Sequence, residues 1–471
     1  MIEIIGISVA VSPFVVAVVA LILLRWPAMW AGVAALASAV GGALLWPSLH
    51  ASGLGSSLLD GLGTSAQVLY VLFGGLLLYN LLRAGGATDE VSRFLGRLEP
   101  EREALAAGVV VGVAPFFESV TGFGVAVVIS APILLAAGFP PLKAAVLASW
   151  GQCAVPWGAL GVGTVIGANL ADTSFQDLSD MSAYLSLPLF PVYGLAAVAL
   201  AGGWAGLRRH GAEAALLGLV TGVATLVTSL FLVPELSGAV GGLAATAFFL
   251  VRRRERAAGV PVRELLPYGF LLALLAAANG IGTIAAALGR LGPVFTGPGL
   301  PLLMSSAFAA VTLKVGAGTA GKALCETAAQ WLPTAGAVLT FVLAGEVVAG
   351  SGAASLLASA AGGLGNYYLA FSPVLAGLGG ALTGSNAASN ALFMPLQIEA
   401  ARGLGLPETL TAAVQNVAGS HASMLAPQRL VLAATATGLL GREGDLARAA
   451  AAPVALALAI LAWIGLVYQL H

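Results

Sequence analysis

Apolar stretches of about twenty residues, the length a helix needs to cross the hydrocarbon core of a bilayer, follow one another along nearly the whole chain. They run over 3–24, 28–47, 62–83, 142–163, 184–207, 213–233, 235–251, 267–289, 301–319, 333–350, 407–426 and 450–469. Only 9% of residues are charged, against about 25% in an average soluble domain. Such a chain cannot cover a water-facing surface, so its solvent is lipid. The expected fold is all-α and polytopic, with about 12 transmembrane helices. The start, MIEIIGISVA, carries no basic segment and reads as the first span rather than a removed signal peptide. A net charge of −1 gives no argument for a nucleic-acid partner. Cys153 and Cys325 lie in apolar or Gly-rich runs and are expected to be buried free thiols.

Two apolar stretches have the wrong length. Segments 104–137 and 370–402 are too long for one crossing and too short for two. Each has a polar, Gly-rich centre: Glu118-Ser119-Val120-Thr121-Gly122-Phe123-Gly124 in the first, and Thr383-Gly384-Ser385-Asn386-Ala387-Ala388-Ser389-Asn390 in the second. Both read as re-entrant hairpins, half-helix, tip and half-helix. Irregular backbone at that depth is tolerated only against protein or a wet cavity.

Loop charges orient the layout. Arg83, Arg93, Arg97 and Arg102 mark one loop, Arg208 and Arg209 another, and Arg252-Arg253-Arg254-Glu255-Arg256 with Arg263 a third. The positive-inside rule makes these cytoplasmic. The loop 164–183, with Asp172, Asp177 and Asp180, then lies outside. With 104–137 entering from the cytoplasm the signs agree, both termini lie outside, and only Arg402 falls on the wrong side. A repeat emerges as well. The first tip is followed by Pro140-Pro141, a helix and a break at Gly151-Gln152-Cys153 ending at Pro156. The second is followed by Pro407, a helix and a break at Gln415–His421 ending at Pro427. The second copy enters from the opposite side, which makes an inverted repeat, the arrangement that puts a transporter's substrate site at the midplane. The expected division is 1–234 for the first repeat, 235–266 for a connecting span and basic loop, and 267–471 for the second repeat.

Glu118 is the acid deepest in an apolar stretch. Such residues usually face a polar interior and mark a pathway, and an acid held out of water favours its protonated form, which suits a proton carrier. The plainer reading is a structural acid that satisfies hairpin N–H groups. Lys314 could hold an anionic carboxylate or could snorkel to the cytoplasmic face. Lys322 and Glu326 sit one helical turn apart as an interfacial pair. The second tip offers free N–H groups with Ser385, Asn386, Ser389 and Asn390, an anion cradle or simple helix caps. Gln152, Asn416, Ser420 and His421 read the same way at the two breaks. No nucleophile–base set, metal-spaced cluster, Walker loop or dinucleotide fingerprint is present in the sequence, so no enzyme chemistry and no cofactor are expected, and transport would draw on an ion gradient.

The tips carry a family likeness. Glu118-Ser-Val-Thr-Gly-Phe-Gly124 resembles a signature of the bacterial lactate permease family, within the larger ion-transporter superfamily. Thr383-Gly-Ser-Asn-Ala-Ala-Ser-Asn-Ala-Leu-Phe393 is similar to its second signature, and Ala426-Pro427-Gln428 to a later element. The resemblance implies a multi-pass protein of the bacterial cytoplasmic (inner) membrane. It implies proton-coupled symport of L-lactate and related 2-hydroxy monocarboxylates such as glycolate, elevator-type alternating access, and a possible homodimer. On this reading Glu118 and His421 couple protons. The substrate meets Ser119, Thr121, Gly122, Gln152, Lys314, Thr383, Ser385, Asn386, Ser389, Asn390, Asn416 and Ser420. The chain departs from the family at Asn386, where an Asp is expected, and at the bulkier Val120 and Thr121. The rival is a sodium-coupled di- or tricarboxylate carrier of the same architecture. A shortage of Lys and Arg at membrane depth argues against it, since a second negative charge would need an offset. A membrane enzyme or structural subunit would need a catalytic constellation or a large soluble surface, and the sequence has neither.

Overall fold

A computed structural model describes residues 2–46, 49, 53–98, 101–122, 124–253, 259–279, 297–361, 365 and 367–468. Among these residues the regular structure is helical throughout. The first block is α1 (Ile2–Val18), prolonged by a wider π turn over Val19–Leu23, then α2 (Ala28–Leu45), α3 (Leu54–Ala84) and the amphipathic α4 (Ala87–Leu98). Next come α5 (Arg102–Thr121), α6 (Val125–Ala136), α7 (Pro141–Trp150), α8 (Gly158–Leu170) and α9 (Phe175–Ser186). The middle of the chain forms α10 (Leu189–Phe231), α11 (Ser237–Arg252), α12 (Val262–Asn279), α13 (Gly299–Thr312), α14 (Ala317–Gly350) and α15 (Ala353–Ala361). The last part comprises α16 (Tyr368–Thr383), α17 (Asn386–Leu404), α18 (Glu408–Ala422), α19 (Pro427–Thr437) and α20 (Glu443–Tyr468).

Eight of the described helices are long and apolar enough to cross a membrane, nine if α7 and α8 count as one bent span. The twelve apolar stretches resolve differently because hydropathy counts side chains and not backbone continuity. Stretches 184–207 and 213–233 lie on the single 43-residue α10, broken at Gly203, where φ is 60°. Stretch 142–163 divides into α7 and α8, bent by 62°. Stretch 301–319 stops as a helix at Thr312, Lys314 takes a left-handed φ of 56°, and α14 begins at Ala317. Stretch 407–426 holds a helix of only 15 residues. Part of 267–289 lies outside the described residues, as do Phe123 and Arg254–Arg256. Cys325 is exposed, against expectation, because it lies on an open face of α14; Cys153 is buried.

The two anomalous stretches are helix pairs. In the first, α5 and α6 meet at the tip, and Gly138 returns so closely to Arg102 that a Cβ there would reach 3.1 Å from the guanidinium carbon. In the second, α16 and α17 run side by side, tied by the Tyr368 hydroxyl donating to Gln397 Oε1 at 2.8 Å. The irregular part of each tip is shorter than the sequence suggests. Glu118–Thr121 form the last turn of α5, and Asn386–Asn390 open α17. Only Gly122, Gly124, Gly384 and Ser385 leave the helix among the described tip residues. Gly122 sits at φ 71°, ψ −162°, a region essentially reserved for glycine.

α14 lies along α2 and α3 and also packs on α17, α3 carries α13 and touches α8, and α12 packs on α13. The helix pairs cross over: α6 of the first packs on α19, and α17 of the second packs on α8. Backbones approach most closely where α16 crosses α18. A Cβ at Gly380 would come within 2.7 Å of the Gly419 carbonyl carbon, as expected for small-residue contacts in membrane proteins. Gly380→Val is therefore expected to lower stability by about 1–3 kcal/mol or more from overpacking. The check is the thermal unfolding midpoint in detergent; an unchanged midpoint would contradict this crossing.

Candidate functional site

The two tips and the start of α19 converge at the bottom of a cavity of about 1220 Å³. On one side it is walled by Tyr79 and Arg83 of α3 and Gln330 and Pro333 of α14, and on the other by the tips. Its lining includes three arginines, Arg25, Arg83 and Arg429, against two glutamates, Glu118 and Glu443. That excess of positive charge suits an anionic solute. Arg83 pairs with Glu326 of α14 at the exposed rim, and Asn80 below it donates to Thr327 Oγ1 at 2.9 Å and Gln330 Oε1 at 3.1 Å.

Arg429 occupies the centre of the floor. Pro427 starts α19 at a position where its missing N–H costs nothing, so Arg429 stands in the first turn and its side chain reaches back toward both tips. Nη1 donates to Glu118 Oε1 at 3.0 Å and to Gln152 Oε1. Nε donates to the Gly384 carbonyl at 3.0 Å. The Gly124 N–H donates to both Glu118 oxygens, at 3.3 and 3.1 Å. A side chain at Gly124 would strike Leu432 at 2.6 Å and approach Nη1 of Arg429. Glu118 is 1% exposed and Arg429 8%, so this is a buried ion pair with further hydrogen bonds on each member. Gln428 beside it donates to the Thr383 carbonyl. One turn of α19 thus ties both tips.

Behind the second tip lies an uncharged network. Asn416 of α18 accepts from the amides of Asn386 and Asn390, both at 2.8 Å, and donates to Thr164 at 3.0 Å and Ser182 at 2.9 Å. Asn390 also donates to the Gly163 carbonyl at 2.9 Å. Gln415 donates to Ser389 Oγ at 3.2 Å and accepts from Gln397, which in turn accepts from Ser372 and Tyr368. The Gly163 carbonyl is reachable because α8 starts with a left-handed run, Ala159 at φ 51°, Leu160 at 57° and Gly161 at 81°. Left-handed non-glycine residues are strained, and such strain gathers at functional sites.

Of the residues singled out in the sequence, Glu118, Gly122, Thr383, Ser385 and Asn386 line the cavity. Ser385 caps α17, its hydroxyl oxygen accepting from the Ala388 N–H at 3.3 Å. Gln152 reaches the cavity floor through Arg429. Ser389, Asn390 and Asn416 belong to the network behind the wall. The Thr121 hydroxyl is turned back on the Phe117 carbonyl at 2.6 Å, and Ser119 packs toward Gly238. His421 is stacked on Tyr193, ring centroids 5.3 Å apart, and neither ring nitrogen nor the Ser420 hydroxyl has a hydrogen-bond partner among the described residues. Lys314 stands exposed on the turn between α13 and α14 and does not line the cavity.

Arg429 is what the sequence reading missed, and it supplies a buried cation that the argument from a shortage of Lys and Arg did not count. That argument took 407–426 as a complete span, which put Arg429 in a loop where arginine is ordinary. The signal available was the parallel between Pro156 and Pro427. If the first break leads into a further helix, so does the second, and an arginine in its first turn is then buried. Tyr368, Ser372 and Gln397 were missed because single polar residues on apolar helices carry no pattern.

A family model described as L-lactate permease matches residues 7–256 and 285–471. An L-lactate permease of Escherichia coli (strain K12) is 26% identical over 450 residues, covering 81% of this chain and 80% of the relative. Glycolate permease GlcA of the same strain is 25% identical over 458 residues, with 81% and 80% covered. An L-lactate permease of Bacillus subtilis (strain 168) is 25% identical over 457 residues, covering 80% of each.

Two outcomes test the placement of residues. Asn416→Leu removes the acceptor of two buried amides and a donor to two hydroxyls; each orphaned group costs about 1–3 kcal/mol. Its thermal midpoint should fall well below wild type. Lys314→Ala should leave solute uptake unchanged within assay error, and a loss of uptake would place Lys314 on the pathway after all.

Proposed function

The chain belongs to the L-lactate permease family, a family of transporters and not enzymes, and on that premise we propose that it carries L-lactate and related 2-hydroxy monocarboxylates, glycolate among them, in symport with protons. The observation that carries this reading is the cavity floor, where a buried carboxylate, a guanidinium and the start of α17 share one wall. The N-terminus of a long helix favours an anion through its dipole and its unpaired N–H groups. A monocarboxylate with a 2-hydroxyl needs an anion site with a few neutral donors beside it, and Ser385 and Asn386 stand there. Glu118 is the coupling acid. One proton with one monoanion makes the cycle electroneutral. No metal or cofactor enters the scheme, and the gradient supplies the driving force.

The same proposal includes the architecture. The α5–α6 and α16–α17 pairs are re-entrant hairpins in the two halves of an inverted repeat, within about 12 membrane segments. Its supports are the shared order of pair, Pro-started helix, break and helix, and the crosswise packing of α6 on α19 and α17 on α8. The tips with α7–α9 and α18–α19 form the moving part, and α2, α3 and α14 the fixed wall. The cavity between them is the space such an elevator needs. With the basic segments on the cytoplasmic side, the cavity mouth at Arg25 and Arg83 faces the cytoplasm. Assembly as a homodimer rests on the family resemblance alone.

A sodium-coupled di- or tricarboxylate carrier is the second reading, and Arg429 is the observation that keeps it open, since a buried cation could offset one further charge. Reconstituted liposomes decide between them. An inward proton gradient without sodium should drive accumulation of labelled L-lactate, and Glu118→Gln should abolish accumulation while retaining exchange. Uptake that depends on sodium and ignores the proton gradient would sink the proton reading; normal accumulation by the variant would make Glu118 structural.

A further inference from the structure

We propose that Arg429 is the residue that receives the substrate's carboxylate, and that Glu118 is the anion it releases in exchange. This rests on the monocarboxylate reading above and names how that site binds. A guanidinium has five N–H donors. Arg429 places one on the Gly384 carbonyl through Nε and directs Nη1 to Glu118 and Gln152. Its Nη2 group donates to none of the described residues, and Arg429 lines the cavity. Asn386, 6% exposed, leaves its Oδ1 without a partner on the same wall. The Ser385 hydroxyl, whose oxygen accepts from the Ala388 N–H, keeps its own proton to give. A carboxylate that reaches the cavity floor therefore meets a planar, fixed cation, with a hydroxyl donor and an amide acceptor on the same wall. The acceptor suits the substrate's 2-hydroxyl.

The exchange follows from the charges present. Glu118 makes one ion pair among the described residues, with Arg429, and otherwise accepts only from the Gly124 N–H. The other charged groups lining the cavity, Arg25, Arg83 and Glu443, make no ion pair with it. When the substrate takes the guanidinium, Glu118 is left buried without its counter-ion, a state that burial penalises until a proton arrives. Before binding, the charges of Glu118 and Arg429 sum to zero. After binding, substrate, Arg429 and protonated Glu118 also sum to zero. One guanidinium shared by two carboxylates makes lactate and proton arrive together. A substrate with a second carboxylate would need a cation beyond Arg429, which this exchange does not supply.

The experiment is L-lactate titration of the full-length protein in nanodiscs by calorimetry, in buffers of different ionisation enthalpy, for wild type, Glu118→Gln, Arg429→Gln and Arg429→Lys. Wild type should take up one proton per lactate, which the buffer series reads directly. Removing the competing anion in Glu118→Gln should tighten binding several-fold and abolish the proton uptake. Arg429→Gln should weaken binding by about tenfold or more, the loss expected for a charged hydrogen-bond partner, and Arg429→Lys should fall between. A merely structural ion pair predicts that both neutralising changes weaken binding alike, and that outcome overturns the proposal. So does an Arg429→Gln protein that binds as wild type. If Arg429→Gln does not fold, the opposite signs expected of Glu118→Gln and Arg429→Lys make the same decision. Wild type that transports lactate while Arg429→Gln is unimpaired overturns this inference alone; wild type that neither binds nor transports lactate overturns the monocarboxylate reading with it.

Discussion

The contact on which the architecture turns is the guanidinium of Arg429, held by Glu118 from the first helix pair and by the Gly384 carbonyl from the second. Pairing two charges out of water is not by itself a strong source of stability, because desolvation offsets the Coulomb gain. Removing either partner is costly, since it strands the other. The consequence is specificity rather than strength. The two tips are held at one spacing and register, with Gln152 closing the third side. Glycine suits position 124, where φ is 79° and a side chain would meet Leu432 of α19 and crowd Nη1 of Arg429.

The charged pair and the exposed backbone groups of the tips sit where helices stop. Lipid tolerates no unpaired backbone, so the breaks must be enclosed by protein. The second tip is enclosed by α8, whose left-handed start at Ala159, Leu160 and Gly161 turns the Gly163 carbonyl toward Asn390. The first is enclosed by α19, which begins at Pro427 after its own break. Each tip is thus covered by a helix far from it in the sequence. The strain at Ala159 and Leu160 is the local cost of opening backbone to the interior, and Ala159 itself packs against Gly122.

Much of this was legible in the sequence. The helical class, both anomalous stretches and the identity of Glu118 follow from hydropathy and the scarcity of charge. The polar residues of the second tip were found too, because Ser385, Asn386 and Asn390 interrupt an otherwise apolar run. Their positions were less accessible. Asn386–Asn390 look like a loop by composition, yet they form the first turn of α17, since Ser385 caps it and Gly384 supplies the left-handed turn. The apolar stretches do not map one to one onto helices for a related reason. Hydrophobicity reports what a segment can lie in, and it is blind to whether the backbone runs straight through, as α7–α8 and α10 show. Arg429 was hidden by the same blindness, since its segment passed for a loop. His421 and Lys314 were chosen for their chemistry alone, and geometry takes them elsewhere, one into a stack with Tyr193 and the other onto an exposed turn.

The two tips differ in kind, and the difference has a physical basis. The second is neutral: its amides and hydroxyls form a network around Asn416 that a single variable proton cannot easily alter. The first carries the charge pair. The proton-coupled carrier proposed above needs one group whose charge is conditional and many whose geometry is not. Glu118 on the first tip, with the amide Asn386 on the second, suits that proposal. A second carboxylate at position 386 would place another negative charge near Arg429 and give the guanidinium two anions to choose between before any substrate arrived. With an amide there, the cavity floor holds one anion and one cation, and the Nη2 group of Arg429 keeps no acceptor among the described residues.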